Sequence, residues 1–508
     1  MTVRIGEALT LDDVVAVAER GERVEIAPDV PERMAPARRI VEDAVAQRRT
    51  VYGLTTGIGD LANVRIDPAE AATLQRDLVR AHATGVGDPF PAPVVRAMLL
   101  LRARTFAFGV SGVRFELVER IARMLNEGVH PVVPSQGSLG ASGDLAQLAH
   151  LALPLLGDGE AEHRGARRPA GDVLRAAGIE PLEPSHKEGL ALVNGTEAML
   201  ALGILAFERA RRLARAADVA GAMSVEACLG TDRAFRADLV ALRPHAGAQV
   251  VARNLRSLLA GSAIVASHRD SDHLVQDAYS LRCIPQVHGA YRDGMSYVRA
   301  TLEAELASAI DNPTVMVETG EALSGGNFHG EALGLALDHL TLCAAGFATI
   351  AERRIARLVD PALSNGLPPF LTRDAGRRTG FMIAHYTAAS LVAESRSLCF
   401  PASSDSIPTS AGQEDHVSMG ATSARKAAAV VANTERVVAI EALSAAQGLD
   451  LRVAEPAAAT GAARAAVRAL SPELDHDRPL AGDIEAVAGA VASGALAGAA
   501  EEVAGPLG

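Results

Sequence analysis

Apolar residues recur every three to four positions along much of the chain, and this period predicts α-helices. Six segments follow it: Asp144–Leu156, Thr196–Ala217, Tyr297–Ala309, Glu331–Leu358, Gly380–Leu398 and Ser418–Gln447. Each is too long for a typical strand, and several exceed the mean helix length of about 11–12 residues. Strand-like runs are short, at Val24–Ile26 and Val315–Val317. The pattern predicts an all-α fold, a bundle of long helices with few short strands.

Polar segments, most of them rich in glycine, interrupt the predicted helices at seven places. They read YGLTTGIGD at 52–60, HATGVGD at 82–88, PSQGSLGASGD at 134–144, NGT at 194–196, QDAYSLRCIPQ at 276–286, SGGNFHG at 324–330 and SIPTSAGQEDHVSM at 406–419. Loops on a rigid scaffold often carry the chemistry of a protein, so we expect a functional site there. No repeat or low-complexity linker divides the chain. We expect a mainly helical domain at 1–195, carrying the 134–144 segment, and a central bundle with C-terminal helices at 196–508.

The composition narrows the class of protein. Hydrophobic residues make up 49% of the 508 residues but aromatic residues only 3%, and Trp is absent. The core must therefore consist of Ala, Leu, Val and Ile, and disordered, collagen-like and disulfide-scaffold chains are excluded. The formal net charge of −12 disfavours binding to nucleic acid or an anionic membrane. Few aromatic residues also argue against a stacking platform for single-stranded nucleic acid.

Cysteine spacing and the N-terminal sequence indicate the compartment. Cys228, Cys283, Cys343 and Cys399 lie more than fifty residues apart and form no C-x-x-C pair. We therefore expect free thiols in a reducing, cytoplasmic environment. The charged N-terminal sequence does not resemble a secretory signal. The apolar stretch 486–500 is shorter than the roughly 20 residues that span a bilayer.

Several common motifs are absent from the sequence. YGLTTGIGD lacks the third glycine of a dinucleotide-binding fingerprint, and no Walker A sequence occurs. There is no H-E-x-x-H and no paired Cys/His spacing, and His329 and His416 are separate loop residues, so we predict no metal site. The segment around Ser142 differs from a G-x-S-x-G nucleophile elbow and follows no predicted strand.

The run Ala141–Ser142–Gly143 permits an unusual backbone reaction. Gly143 has no Cβ, so its nitrogen can approach the carbonyl carbon of Ala141 and close a five-membered ring. Ser142 can then lose water to give an exocyclic alkene, an electrophile that ordinary side chains do not provide. Asp144 can cap the following helix, whose N-terminal dipole favours negative charge on the ring carbonyls. From the residues alone, a flexible loop before a helix cap is an equally good interpretation.

The segment GSLGASGDLAQLAH resembles the methylidene-imidazolone (MIO) motif of the aromatic amino acid lyases, and the resemblance extends from about Tyr52 to Met419. That family contains histidine, phenylalanine and tyrosine ammonia-lyases and related 2,3-aminomutases. The resemblance implies a helical fold related to fumarase and aspartase. It also implies a homotetramer with active sites shared between subunits, and an MIO group formed from Ala141, Ser142 and Gly143, with no external cofactor.

The resemblance assigns roles to three residues around this group. Tyr52 in YGLTTGIG matches the loop tyrosine that closes over the substrate. Asn194 in LVNGT matches the asparagine beside the prosthetic group, and Phe328 in GNFHG matches the aromatic residue packed near it. Without the resemblance, core packing is the simpler interpretation of Phe328.

Three further roles fall in the segment QDAYSLRC. Gln276 matches a substrate-site glutamine, Tyr279 the catalytic tyrosine and Arg282 the arginine that binds the substrate carboxylate. Arginine suits a carboxylate because its guanidinium donates two parallel hydrogen bonds. A tyrosine removes a proton more readily when a cation stabilises its phenolate. Without the resemblance, a salt bridge at a helix end is the simpler interpretation of Arg282.

Two positions bear on the substrate. The histidine ammonia-lyases resemble this chain at His82 in RAHATGVG, where the tyrosine and phenylalanine enzymes tend to place leucine. Glu414, in SIPTSAGQEDHVSMG, also follows the histidine-enzyme pattern. An imidazole and a carboxylate suit a polar substrate ring and suit an apolar phenyl ring badly. The resemblance therefore implies elimination of ammonia from L-histidine to give trans-urocanate.

The sequence also departs from the usual family pattern. The departures are found at Ala81, Gln147, Thr55, Arg377, Arg378 and His385. Thr55, in YGLTTG, is also seen in tyrosine-type enzymes. A tyrosine or phenylalanine ammonia-lyase and a 2,3-aminomutase are therefore alternatives within the family. A fumarase-type lyase without the electrophile and a non-catalytic helical scaffold are the alternatives outside it.

Overall fold

The computed structural model describes residues 2–61, 63–67, 70–271 and 275–508, and helices dominate it. Twenty α-helices occur in the described residues: α1 Leu11–Ala18, α2 Val30–Ala46, α3 Ala71–His82, α4 Ala92–Ala107, α5 Phe115–Glu127, α6 Leu145–Ala152, α7 Ala170–Ala176, α8 Glu188–Val193, α9 Glu197–Ala227, α10 Ala237–Ala241, α11 Ala246–Leu258, α12 Ala263–Ser267, α13 Tyr279–Arg282, α14 Ile284–Leu306, α15 Glu331–Val359, α16 Met382–Leu398, α17 Gly420–Asp450, α18 Ala458–Leu470, α19 Ala481–Ser493 and α20 Ala495–Ala504. This confirms the predicted all-α class.

The strands of the described residues are three or four residues long. They are β1 Val3–Ile5, β2 Val24–Ile26, β3 Val86–Pro89, β4 Val129–Pro131, β5 Pro134–Gln136, β6 Glu160–His163, β7 Ala166–Pro169, β8 Thr314–Met316 and β9 Glu321–Leu323. They form small sheets with the strand orders β1-β2, β3-β5, β4-β6-β7 and β8-β9. Only β1-β2 is parallel among these pairs. One of them, β3-β5, joins two of the predicted functional loops.

The chain forms two compact units. The first contains residues 1–205, 299–338 and 401–425, and the second contains residues 206–298, 339–400 and 426–508. The boundaries between the units fall within α9, α14 and α15, after α16 and within α17. The domain division at residue 195 stays a prediction, because compact units of this kind need not coincide with domains.

Local sequence explains where individual helices begin and end. Thr10 caps α1 by accepting from the Asp13 amide, while the Asp13 carboxylate accepts from the Thr10 amide, which is a capping box. Helix α5 ends at Gly128, which adopts the left-handed conformation with φ of +67°. Such ends provide partners for some of the backbone groups that a helix terminus leaves unpaired.

The core of the first unit surrounds α4, whose residues 94–107 are all buried. Its arginines satisfy carbonyl groups inside the unit instead of facing solvent. Arg96 Nε donates to the Val17 carbonyl at 2.7 Å, and Arg102 donates to the Asn194 carbonyl at 2.8 Å. Arg102 also contacts the Glu197 carboxylate at 3.2 Å, with both side chains almost fully buried. This pair fixes the chain on both sides of Gly195.

Helix α15 is long and apolar enough to cross a membrane by length and composition alone. Within the described residues, the bent pair α19 and α20 passes the same test only when it is treated as one span. In α15, 72% of the apolar window is buried inside the fold. That degree of burial is the usual property of a core helix, and it accounts for the apolar pattern without a bilayer.

Candidate active site

The Ala141–Ser142–Gly143 loop connects β5 to α6 and is anchored to the NGT segment at 194–196. Gly143 has φ of +74°, and it forms a parallel bridge with Gly195. The Asp144 amide donates to the Gly195 carbonyl at 2.7 Å. Ala141 is 9% exposed, so the loop is mostly enclosed where the ring would form. This placement agrees with the small residues that ring closure requires.

Gly143 tolerates no side chain at this position. A Cβ there would lie 1.9 Å from the Gly195 carbonyl oxygen, and its φ favours glycine. We expect Gly143→Ala to lower the free energy of unfolding by more than the roughly 1–2 kcal/mol that a left-handed alanine costs. Urea denaturation measures this difference.

Gly128→Ala is the matched control, because Gly128 has φ of +67° but nothing within 4 Å of its Cβ position. It should show the backbone cost alone. Equal destabilisation by the two substitutions would contradict the close packing of Gly143 on Gly195.

Ser142 is tied to Asn194, which directly follows α8. The Ser142 hydroxyl donates to Asn194 Oδ1 at 2.5 Å, and Asn194 is 1% exposed. The Asn194 Nδ2 group donates to the Asn312 carbonyl at 2.9 Å. The predicted prosthetic-group serine and the predicted neighbouring asparagine are therefore in direct contact.

Asp144 is fully buried between two helix N-termini. It directly precedes α6, and its Oδ2 accepts from the amides of Ala198 and Met199 at the start of α9, at 2.9 Å each. Among the described residues its Oδ1 has no hydrogen-bond partner. Burial raises the pKa of Asp144 to about 7, opposed by the two amide hydrogen bonds. The carboxyl is therefore partly protonated near neutral pH.

This raised pKa makes stability depend on pH. The folded state binds the proton more tightly than the unfolded state, whose pKa is near 3.8. The stabilisation is fully present below pH 4 and is lost as the pH rises through about 7. We expect Asp144→Asn to flatten this part of the profile of melting temperature against pH, with the exposed Asp12→Asn as control. Parallel profiles of melting temperature against pH for Asp144→Asn and wild type would contradict this effect of the raised pKa of Asp144.

The 406–419 segment packs against the Ala-Ser-Gly loop and against the Tyr52 loop. The Met419 amide donates to the Leu139 carbonyl at 2.9 Å. A Cβ at Gly140 would lie 2.1 Å from Ser418 Oγ, and one at Gly59 would lie 2.8 Å from Ser410 Oγ. The first unit therefore brings these three predicted functional loops together.

Tyr52 closes its own turn in this structure. Its hydroxyl oxygen accepts from the Gly59 amide at 3.0 Å, and the side chain is half-buried. The Thr55 hydroxyl is also used inside the turn, donating to the Arg49 carbonyl at 2.6 Å and accepting from the Val51 amide at 2.9 Å. Thr55 is therefore a structural residue of the turn, which weakens it as an indicator of a tyrosine substrate.

His82 lies at the end of α3, just before strand β3. Its Nδ1 lies 2.7 Å from the Leu78 carbonyl, an acceptor, so Nδ1 is the donor, and in the neutral ring Nε2 is then the acceptor. Strand β3 pairs with β5, with Val86 opposite Gln136. This pairing connects the His82 loop to the strand that leads into the Ala-Ser-Gly loop.

Glu414 lies in a tight turn of the 406–419 segment. Thr409 and Glu414 form an antiparallel bridge, and the Thr409 hydroxyl donates to Glu414 Oε2 at 3.0 Å. Ser410 and Ala411 have φ of +52° and +54°, values unusual for residues other than glycine. The hydrogen bond from Thr409 holds one oxygen of the Glu414 carboxylate at this turn.

The GNFHG segment brings Phe328 and His329 to the same unit. Phe328 is half-buried, and the rings of His329 and His416 stack at 5.9 Å with planes 4° apart. His329, Glu331 and His416 place ligand atoms within 4.8 Å of one another, the one such group among the described residues. Parallel imidazole rings do not direct two nitrogen lone pairs at one point. The absence of a metal stays a prediction.

Gln276, Tyr279 and Arg282 belong to the second unit. Gln276 is exposed, and Tyr279 is 72% exposed at the start of the four-residue helix α13. The Arg282 guanidinium carbon lies 4.7 Å from the centre of the Tyr279 ring. Arg282 Nε is buried and has no hydrogen-bond partner among the described residues. The structure thus places the predicted base beside the predicted carboxylate-binding arginine.

A buried ion pair that the sequence did not reveal supports this short helix. Arg354 and Glu441 are both fully buried, and Arg354 donates to both Glu441 oxygens, at 2.5 and 2.8 Å. Arg354 also donates to the Ser280 carbonyl at 3.4 Å. Neither residue lies in a glycine-rich loop, so periodicity marked both only as helical positions.

The other departures from the family pattern have local roles or no visible one. His385 Nε2 lies 2.7 Å from Glu352 Oε1, and Arg378 donates to the Asp475 carbonyl. Arg377 is largely exposed. Gln147 is 1% exposed, and among the described residues its Oε1 has no partner. Nothing in these contacts explains the change at Gln147.

Sequence comparisons identify the family of the chain. A family model for aromatic amino acid lyases matches residues 9–469. The histidine ammonia-lyase of Anaeromyxobacter sp. (strain K) is 52% identical over 500 residues, covering 97% of this chain and 98% of that protein. The histidine ammonia-lyase of Symbiobacterium thermophilum is 52% identical over 506 residues, covering 99% of both.

Solved structures show the same fold over the whole chain. Histidine ammonia-lyase from Trypanosoma cruzi is 43% identical with a TM-score of 0.91, covering 99% of this chain and 96% of that one. Tyrosine aminomutase from Streptomyces globisporus is 39% identical with a TM-score of 0.94, covering 99% of both. The protein is therefore a carbon–nitrogen lyase. It belongs to the aromatic amino acid lyase family, which confirms the resemblance found in the sequence.

Proposed function

We propose that this protein eliminates ammonia from L-histidine to give trans-urocanate. The observation that supports it most strongly is the identity of about half of all residues, over nearly the full length, to proteins named histidine ammonia-lyases. The hydrogen bond between Ser142 and Asn194, two residues with predicted roles in this reaction, also supports the proposal.

We infer that Ala141, Ser142 and Gly143 form the MIO group. The residues fit it: Gly143 combines a positive φ with a position where no Cβ fits, and Ala141 is small and enclosed. The group supplies an electrophile that makes the substrate amine a better leaving group. No external cofactor is needed in this scheme.

The residues that the family resemblance names have separate tasks in the proposed reaction. Arg282 binds the substrate carboxylate with its guanidinium, and Tyr279, beside that cation, takes the β-proton. The N-terminus of α6 directs its dipole at negative charge on the loop carbonyls. Tyr52 excludes water when its loop closes. Phe328 packs near the electrophile, and Gln276 contributes to substrate binding.

His82 and Glu414 support an imidazole substrate. In the neutral His82 ring Nε2 is the acceptor because Nδ1 faces the Leu78 carbonyl, and the Glu414 carboxylate is an acceptor when ionised. A substrate N–H satisfies such groups, whereas a phenyl ring leaves them unpaired, at a cost of about 1–3 kcal/mol each.

We expect His82→Leu to lower kcat/KM for L-histidine by about 10- to 100-fold, in line with that cost. The ratio of kcat/KM for L-tyrosine to that for L-histidine should rise. His82→Gln, which keeps an acceptor, is the matched control and should recover part of the loss. An unchanged ratio in His82→Leu would contradict a role of His82 in selecting the substrate ring.

An aminomutase is the second candidate function. The solved structure with a TM-score of 0.94 is that of a tyrosine aminomutase, and it is 39% identical. An aminomutase would return the amine to the β-carbon of the bound product. The same groups serve both outcomes, so product analysis distinguishes them.

The test of the proposal is to measure initial rates with L-histidine, L-tyrosine and L-phenylalanine, following the unsaturated acids by their ultraviolet absorption. We expect turnover of histidine with kcat/KM at least about tenfold above the other two, a difference of about 1.4 kcal/mol. Turnover of tyrosine without turnover of histidine would overturn the substrate assignment.

We further propose a cytoplasmic homotetramer with shared active sites. The family resemblance supports the tetramer, and the four cysteines, all free in the structure, suit a reducing compartment. Light scattering coupled to gel filtration should give a mass about four times the 52.6 kDa of the chain.

A further inference from the structure

Asp311 touches the residues at both ends of the short helix α8. Lys187 directly precedes α8 and Asn194 directly follows it. The Lys187 ammonium donates to Asp311 Oδ2 at 2.7 Å, and the Asn194 Nδ2 group lies 3.5 Å from Asp311 Oδ1. We propose that the Lys187–Asp311 pair is a positioning element that orients the Asn194 amide toward Ser142. This inference rests on the proposed function, because that function gives Ser142 its role in the MIO group.

Both charges are inside the protein. Lys187 is fully buried, and Asp311 is 1% exposed. Lys187 also has φ of +69°, which is rarely adopted by residues with a side chain. A buried charge costs several kcal/mol unless it is paired, so each residue constrains the position of the other. A strained, buried pair beside a functional loop suggests a role beyond stability.

The contacts around Asn194 allow one orientation of its amide. Nδ2 faces the Asn312 carbonyl at 2.9 Å and Asp311 Oδ1, both of which are acceptors. The Asn312 amide donates to Asp311 Oδ1 at 2.7 Å, which fixes that oxygen. A flipped amide would place Asn194 Oδ1 against two acceptors. The Asn194 oxygen must therefore face Ser142, whose hydroxyl donates to it at 2.5 Å.

This orientation matters because the Ser142 side chain must lose its oxygen. In the ring closure, Gly143 nitrogen bonds to Ala141 carbon, and the Ala141 oxygen leaves as water with the amide protons of Gly143 and Ser142. In the second loss of water, the Cβ–Oγ bond of Ser142 breaks and the oxygen leaves as water with the Cα proton of Ser142. The hydrogen bond to Asn194 fixes the direction of that bond. Without it, the hydroxyl is free to rotate away.

The test is the mass of the intact protein, which reports the loss of two water molecules without any substrate. Lys187→Met/Asp311→Leu removes both charges together, a change that buried pairs often tolerate. We expect the fraction of chains that have lost both waters to fall to about a tenth of the wild-type value or less, because the unfixed Ser142 hydroxyl seldom takes the direction that its loss requires. The melting transition should remain cooperative.

The control is Arg354→Met/Glu441→Leu, which removes another fully buried pair and should keep the wild-type mass loss. If the first double variant does not fold, Asp311→Ala carries the same expectation. Burial lowers the pKa of Lys187, so that lysine can lose its proton when its partner is absent.

Complete water loss in a folded Lys187→Met/Asp311→Leu or Asp311→Ala protein would overturn the inference. Equal loss of the reaction in the Arg354→Met/Glu441→Leu control would also overturn it, because the effect would then be general to buried pairs. Failure of the proposed function looks different: wild-type protein with both waters lost but no turnover of histidine.

Discussion

Ser142→Ala is expected to lower kcat for ammonia release from L-histidine by about 10³-fold or more, equivalent to at least about 4 kcal/mol of barrier. Alanine has no hydroxyl to lose, so no alkene forms and the protein retains no electrophile of this kind. The substrate amine is then a poor leaving group. Steady-state kinetics measures the loss, and the ultraviolet difference spectrum against wild type shows the missing group. With no Trp and five Tyr in the chain, the protein background is weak.

Ser308→Ala is the matched control for this substitution. Ser308 is half-buried after the end of α14, and its hydroxyl donates to the Ala304 carbonyl. It should keep both the spectrum and the rate. Undiminished activity in Ser142→Ala would favour a fumarase-type lyase, which shares the fold and needs no electrophile.

Tyr279→Phe is expected to lower kcat by about 10²- to 10⁴-fold, the usual contribution of a general base. The ring keeps its place beside Arg282, so KM for L-histidine should change much less. The Arg282 guanidinium carbon lies 4.7 Å from the ring centre, a cation–π contact that a phenylalanine ring retains. Initial rates across a range of histidine concentrations separate kcat from KM.

Tyr386→Phe is the corresponding control, since Tyr386 is also exposed and contacts a basic side chain, His385, edge to face. It should leave kcat within about a factor of two. Substitutions at exposed positions outside a functional site usually change the free energy of unfolding by less than about 0.5 kcal/mol. A small effect of Tyr279→Phe on kcat would assign the proton transfer to another group.

The long helices were predictable because their apolar period is unbroken. The segment Glu331–Leu358 became α15, which ends at Val359, and Ser418–Gln447 became α17 with a shift of two or three residues. The apolar period failed to predict helix where small residues replace large apolar ones. Helix α14 begins at Ile284, well before the predicted Tyr297. The prediction missed its first half because Gly289 interrupts the apolar period there. A Cβ at Gly289 would lie 2.3 Å from the Ala248 amide nitrogen, so close packing on α11 excludes a side chain there.

Most of the short strands could not be predicted, because they depend on distant partners. Strand β4 pairs with β6, with Val129 opposite His163, and β6 pairs in turn with β7. Three or four residues show no reliable alternation. The predicted Val24–Ile26 agrees with β2, and the predicted Val315–Val317 overlaps β8 at Thr314–Met316.

The candidate site was predictable where a loop has a distinctive composition. Ser142 and Asn194 stand out in glycine-rich segments, and the structure places them in contact at 2.5 Å. Lys187 and Asp311 lie 124 positions apart in sequence. A single lysine and a single aspartate carry no pattern, so only the folded chain shows that they form a buried pair at the ends of α8.

The most direct measurement of the central claim is the identity of the product from L-histidine. Nuclear magnetic resonance of a reaction followed to completion separates trans-urocanate from β-histidine, and an enzymatic assay quantifies ammonia in the same sample. The account predicts trans-urocanate and ammonia in equal amounts. β-Histidine as the main product, or no reaction by a protein that has lost both waters, would contradict it.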